Sequence, residues 1–219
     1  MGFHVMPNHP SLVRVFGNSL ERISRRRIPI AQRTQAAYKK AEMPVMDWRT
    51  PGEGIIDISG TKFKFQNLLT KVNPKMISMV ASHVIPQFNG SYIDFQVGDN
   101  GFGSPFFSIT AYRSDPAITE TFHSSRPYKN YLACMEFYIF NKENRIYLNM
   151  LGSSYFGCGI RMITSLYNIA KDTGIRKISY YVNPANYDAL KFCFYMDYGK
   201  PIQKKYCSEN LLYWELEVK

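Results

Sequence analysis

The sequence predicts an α+β fold: a mixed sheet whose antiparallel meander runs into a strand–helix–strand unit, behind a basic N-terminal extension. Three observations lead there. Strand-like runs follow one another from Tyr92 to Leu151, the last two forming a strong hairpin. A turn of small residues carrying Gly157-Cys158-Gly159 then opens an amphipathic helix. Behind that helix stands Ile178–Val182, a β-branched and aromatic run too short to be helical.

The chain opens with a basic arm, residues 1–48. It holds eight bases (Arg14, Arg22, Arg25, Arg26, Arg27, Arg33, Lys39, Lys40) against three acids (Glu21, Glu42, Asp47), half of the chain's net charge of +10. Leu12, Val15, Phe16, Leu20 and Ile23 give a loose helical stripe, and Pro29 breaks it after the triple arginine. Two readings stand: a docking segment for an acidic partner such as nucleic acid or an acidic surface, or a helix packed on the body with its arginines in water. Pro44–Glu53 has linker composition, so the folded domain is expected over residues 49–219.

Within that domain Ile55–Ile58 reads as a first strand. Phe63–Leu69 and Lys75–Ile85 both carry helical apolar spacing, the second with an Asn73-Pro74 start signal. Tyr92–Val97 and Phe106–Tyr112 are strand runs separated by a glycine-rich DNGFGS. Arg113–Asn130 is a long polar loop with Glu120, His123 and Arg126, either substrate-facing or mobile.

Leu132–Phe140 and Arg145–Leu151 form a hairpin around Asn141–Asn144. A four-residue loop sets Glu136 opposite Asn149 and Tyr138 opposite Tyr147. Met135, Phe137, Ile139, Ile146, Leu148 and Met150 then share a dry face, with Cys134, Glu136, Tyr138, Tyr147 and Asn149 on the other. A carboxylate in mid-strand among aromatics makes Glu136 a candidate functional residue, although a solvated or Arg-paired glutamate has the same signature.

Ile160, Ile163, Leu166, Tyr167 and Ala170 recur at helical spacing, and Gly174 marks the stop. Asn183 or Asn186 can cap a second helix reaching Phe194, with Pro184 tolerated in its first turn. Ile202–Cys207 and Leu211–Val218 close the chain as two strands across a Ser-Glu-Asn turn.

Composition narrows the class. At 219 residues, 45% hydrophobic and 15% aromatic, the chain can bury a real core. No apolar run approaches the roughly 18 residues of a membrane span, and the first residues lack the apolar core of a secretory signal. A cytoplasmic location is expected. Cys134, Cys158, Cys193 and Cys207 form no CxxC pair and no His lies at zinc-ligand spacing, so no metal site is expected.

A glycine turn feeding a helix leaves backbone N–H groups free at the positive end of the helix dipole, where phosphate binds. Such a turn also serves as a plain tight connection. The residues that follow add to it. Gly157 and Gly159 in the turn, Ile169-Ala170 late in the helix, and Gly174 after it lead to Val182, Asn186, Ala189, Phe192 and Tyr198. In this spacing the C-terminal third resembles the GNAT acetyltransferase family. It departs from the family in three places: Ser154 stands at the Gln or Arg position of the turn, Cys193 at the frequent catalytic Tyr, and Asp197 at the Gly before Tyr198.

The resemblance implies a GNAT-like mixed sheet with a strand and two helices ahead of its meander. It implies acetyl-CoA or another acyl-CoA as co-substrate, its pyrophosphate on the amides of Ser154–Ile160. Leu151, Ser154, Tyr155, Phe156, Gly157, Cys158, Gly159, Ile160 and Asn186 are the implied binding residues, and the strands flanking the turn should splay to admit the pantetheine arm. Glu136 is the implied base toward an amine-bearing small molecule or protein. Cys193 sits at the acid position, with Tyr195 beside it as a fallback. The function so implied is N-acyl transfer by direct attack. The alternative is a catalytically degenerate GNAT-like module that binds, as a nucleic-acid-associated or virion protein.

Overall fold

The computed structural model describes residues 52–68, 73–99, 104–116, 130–155, 157–195, 202–206 and 209–218. The basic arm, Phe156 and the loop residues Glu120, His123 and Arg126 lie outside the described residues. Among them nine strands and three α-helices follow in chain order: β1 Gly52–Ile58, β2 Thr61–Asn67, α1 Pro74–Val84, β3 Tyr92–Asp99, β4 Pro105–Tyr112, β5 Tyr131–Phe140, β6 Arg145–Ser153, α2 Cys158–Thr173, β7 Lys177–Val182, α3 Tyr187–Tyr195, β8 Ile202–Tyr206 and β9 Glu209–Glu217. Among the described residues the strands make one sheet ordered β1-β2-β3-β4-β5-β6-β7-β9-β8. Only β2/β3 and β6/β7 are parallel, as strand pairs bridged by crossovers must be. The chain therefore has the predicted α+β architecture, a mixed sheet with a meander and a βαβ unit.

The start of the sheet differs from the expectation. Phe63–Leu69 is not helical; most of it is β2, paired antiparallel with β1 and parallel with β3. Its sequence K-F-K-F-Q alternates, putting Phe63 and Phe65 on the core side, and that period of two prevails over the helical spacing of Phe65, Leu68 and Leu69. Two strands and one helix thus precede the meander among the described residues. Gly52 and Glu53, expected in a linker, pair with Asn67 and Gln66. At the other end Glu209 and Asn210 belong to β9, where a turn was expected.

α1 starts where the sequence puts it. The Asn73 side chain accepts from Lys75 N–H at 3.1 Å, and Pro74 occupies the first turn. α2 buries Met162, Ile163, Leu166, Tyr167 and Ile169 and stops at Gly174, whose φ of +71° suits glycine. The two helices lie side by side against one face of the sheet. Ser165 Oγ donates to His83 O at 3.1 Å, and the His83 ring meets Asp172 at 2.9 Å. Beneath them Phe63, Ile93, Phe95, Phe107, Met135, Phe137, Ile139, Ile146 and Trp214 are fully or almost fully buried. No described helix is long and apolar enough to cross a membrane.

The β5/β6 hairpin carries a correction that matters for the site. Tyr138 faces Tyr147 as expected, but the register shifts between Glu136 and Phe137, and Glu136 faces Met150. Asn149 is the extra residue of a β-bulge. Alternation breaks there, so Met150 leaves the dry face and is 42% exposed.

Candidate active site

β6 and β7 begin as partners and then part. Arg145 pairs with Lys177, Ile146 with Ile178 and Tyr147 with Ser179, and the ladder ends. The bulge at Asn149 bends β6 just beyond that point. Farther along, Gly152 lets the backbone pass close under Tyr131: a Cβ there would lie 2.6 Å from the Tyr131 hydroxyl. That hydroxyl donates to Cys134 Sγ at 3.0 Å. On the other side the chain turns away after Val182, where Asn183 Oδ1 accepts from Ala185 N–H at 2.8 Å.

The gap between the strands is a cleft of about 480 Å³. Leu148, Met150, Leu151 and Ile163 wall one side, Tyr180, Val182 and Phe192 the other, with Asn149, Asn183, Asn186 and Asp188 as the polar groups. Apolar walls with a few convergent polar groups are what a small-molecule site needs.

The start of α2 closes one end. Gly157 sits at the N-cap with φ +85°, a conformation costly for any side chain, and no side chain caps the helix. Cys158 N–H is taken by Tyr155 O at 3.1 Å, while Gly159 N–H meets no backbone carbonyl among the described residues. Gly159 also lines the cleft, where a Cβ would stand 3.4 Å from Ser153 Cβ and 3.6 Å from Phe192. The positive end of a 16-residue helix, with the Gly159 amide at the cleft, favours an anion.

Of the candidate cofactor residues, Leu151, Gly159 and Asn186 line the cleft. Asn186 has a second duty, since its Oδ1 caps α3 by accepting from Ala189 N–H at 3.0 Å. Ser154 does not offer its amide to a ligand: that N–H donates to Leu132 O at 3.0 Å. The Tyr155 ring lies away from the cleft, with the Arg113 guanidinium 4.1 Å above it. Cys158 is buried in the core and Ile160 packs on it. Phe156 and the side chain of Tyr195 lie outside the described residues.

Glu136 is half-buried on β5. Asn149 Nδ2 donates to its Oε2 at 3.1 Å and the Ser108 hydroxyl to its Oε1 at 3.5 Å. Asn149 lines the cleft, so the carboxylate stands one side chain from it. The bulge that displaced Asn149 from its expected pairing is what turns its amide onto Glu136.

Cys193 lines the cleft on α3, 3% exposed. Burial pushes its thiol up to about 12, with the neighbouring Tyr180 hydroxyl pulling the other way. It stays protonated at any physiological pH. Burial thus sets it above the ordinary thiol near 8.5 on which the expected acid role was based.

The sequence reading did not single out Tyr180, Tyr181 or Asp188, all of which line the cleft, and it named Met150 and Phe192 without giving them a place in the site.

No protein-family model and no curated protein matches the chain. Solved structures of similar arrangement include the PaiA N-acetyltransferase of Thermoplasma acidophilum in complex with coenzyme A, 16% identical with a TM-score of 0.36 over 51% of this chain and 60% of that one. A GNAT-family acetyltransferase of Staphylococcus aureus Mu50 is 13% identical, TM-score 0.37, over 54% and 71%. The ribosomal-protein-S18-alanine N-acetyltransferase of Escherichia coli is 11% identical, TM-score 0.35, over 54% and 72%. The chain thus spans less than two thirds of the first of these. Likeness at this level carries nothing about activity, and the site must be read from its own residues.

Proposed function

We propose that the protein is an acyl-CoA-dependent N-acyltransferase. The observation that carries this reading is the opening of β6 from β7 over an uncapped glycine helix start, with the Glu136–Asn149 pair at its edge. The residues present fit acyl-CoA. Apolar walls at Leu148, Leu151 and Phe192 suit a pantetheine arm, and the Gly159 amide at the start of α2 suits its phosphates. Asn186 adds a polar contact. Bound there, acyl-CoA supplies an activated acyl group.

The chain's own residues do the rest. Asn149 and Ser108 hold the Glu136 carboxylate, which accepts the proton of the attacking amine. Cys193 keeps its proton, so the proton that the departing coenzyme A thiolate takes up would come from solvent. A direct attack needs both reactants held together, so the acceptor amine, on a small molecule or a protein, must reach the cleft beside Glu136.

The test is calorimetric titration of coenzyme A into the full chain, followed by an assay of coenzyme A release with a panel of amines. Binding that Gly157→Glu abolishes, with turnover that Glu136→Gln abolishes, is the expected result. An absence of coenzyme A binding would overturn the reading. Binding without turnover of any amine would favour the second reading, a catalytically degenerate binding module, for which the weakly acidic Cys193 already speaks.

A further inference from the structure

We propose that the Asn149 side-chain amide is a catalytic group in its own right: one N–H holds Glu136 and the other meets the carbonyl oxygen of the acyl thioester. This rests on the acyltransferase reading above. Regular alternation would bury one of any two successive strand residues. Beyond the buried Leu148, however, both Asn149 and Met150 are exposed, because the bulge facing Glu136 and Phe137 inserts Asn149 into β6. Asn149 thereby stands just past Tyr147, the last residue of β6 to pair with β7, where the gap between the strands begins.

Its Nδ2 donates to Glu136 Oε2 at 3.1 Å, and the residue lines the cleft. A primary amide carries two N–H donors that diverge in one plane, so a group engaged on one side has a second donor to offer on another. Among the described residues this side chain bonds to Glu136 alone. The other polar side chain that β6 brings to the cleft is Ser153, whose hydroxyl donates to Tyr155 O at 2.8 Å. Ser108 reaches the other oxygen of Glu136 from β4 and does not line the cleft. Of the two groups that hold the carboxylate, Asn149 is the one that can also touch a bound thioester.

The chemistry needs a donor at that place. As the amine nitrogen attacks the carbonyl carbon, a C–N bond forms and the carbonyl π pair moves onto oxygen. Glu136 takes the amine's proton. The C–S bond then breaks, and the thiolate takes its proton from solvent. Negative charge thus leaves Glu136 as it appears on the carbonyl oxygen. An amide with one N–H on each of those oxygens stabilises the charge at both ends of its move, without rearranging.

Infrared spectra of acetyl-CoA labelled with carbon-13 at the thioester carbonyl, bound to the full chain, read this contact without turnover. The carbonyl band should lie at lower frequency bound than free and stay low in Glu136→Gln. It should return to the free position in Asn149→Leu, which keeps the volume and removes the donors. In the assay of coenzyme A release with the amine panel above, Asn149→Leu and Asn149→Ala should each lose about 10²-fold in kcat, with acetyl-CoA affinity unchanged. The loss should persist in the Glu136→Gln background, whereas an asparagine that only positions Glu136 would add nothing there. A band that does not shift on binding or that Asn149→Leu leaves in place, an unchanged kcat in both variants, or a loss that disappears in Glu136→Gln would overturn the proposal. Absence of coenzyme A binding, or binding without turnover of any amine, would instead fell the acyltransferase reading on which it stands.

Discussion

The sheet contains the same motif twice, and the two copies end differently. In the first, β2 and β3 pair in parallel without a break from Lys62–Tyr92 to Asn67–Val97, six residue pairs, and Leu68 N–H carries the ladder on to Val97 O at 2.9 Å. In the second, β6 and β7 pair at three positions and then separate. The helix starts differ in the same sense. α1 is capped by Asn73 and begins on a proline, whereas α2 begins on Gly157 with no side-chain cap. In the first, the Asn73 side chain takes up an amide of α1 and the β2/β3 ladder runs on unbroken. In the second, the β6/β7 ladder ends after three pairs and Gly159 at the start of α2 lines the cleft that follows. A binding site arises here because hydrogen bonds available to one crossover are withheld from the other.

The comparison is broken most severely at Glu136. Glu136→Gln keeps the shape and the Asn149 contact but removes the base, so turnover should fall about 10²- to 10⁴-fold. Coenzyme A affinity should stay as it was. Equal losses in both would make Glu136 a structural residue.

Gly159→Val should come next. Its branches would project between Ser153 and Phe192 and fill the open end of the second crossover. Overpacking of this kind costs about 1–3 kcal/mol; carried by the bound state, that weakens coenzyme A affinity about 5- to 150-fold. Far-ultraviolet circular dichroism would verify that the fold persists.

Asn73→Ala is the matching change in the closed crossover. Loss of the cap should cost about 1 kcal/mol, a fall in Tm of about 2–4 °C, with no effect on coenzyme A binding. An effect on binding would mean that the two crossovers are not separable.

Cys193 should give the smallest effect. Its thiol would titrate near 8.5 in the unfolded chain and is pushed up to about 12 in the fold. The fold therefore favours the protonated form. The contribution is complete below about pH 8.5 and is lost as pH rises toward 12. Denaturant midpoints from pH 8 to 10.5 should decline less steeply in Cys193→Ala. Cys193→Ser should lose only a small part of turnover.

The legibility of the two crossovers in the sequence differed for physical reasons. α2, β7 and the β5/β6 hairpin follow one clear period each, and tertiary packing agrees with it. β2 was misread because Phe65, Leu68 and Leu69 match a helical face while Phe63 and Phe65 match a strand face, and only pairing with β1 and β3 decides between them. The hairpin register followed from loop length near the turn, where Tyr138 does face Tyr147. It slipped by one residue at the bulge, since a local insertion is invisible to alternation counted from the loop. Glu136 and Asn149 were expected as neighbours and are neighbours, by a side-chain hydrogen bond across the bulge. The gap between β6 and β7 followed from the family resemblance and from no single residue.

The central claim is that the open crossover, and not the closed one, receives coenzyme A. Hydrogen exchange of the full chain with and without coenzyme A tests it directly. Exchange should slow at Asn149–Ser153 and Gly157–Ile160 and remain unchanged at Lys62–Asn67 and Tyr92–Val97. No slowing at the β6 edge and the α2 start, or equal slowing in both crossovers, would contradict it.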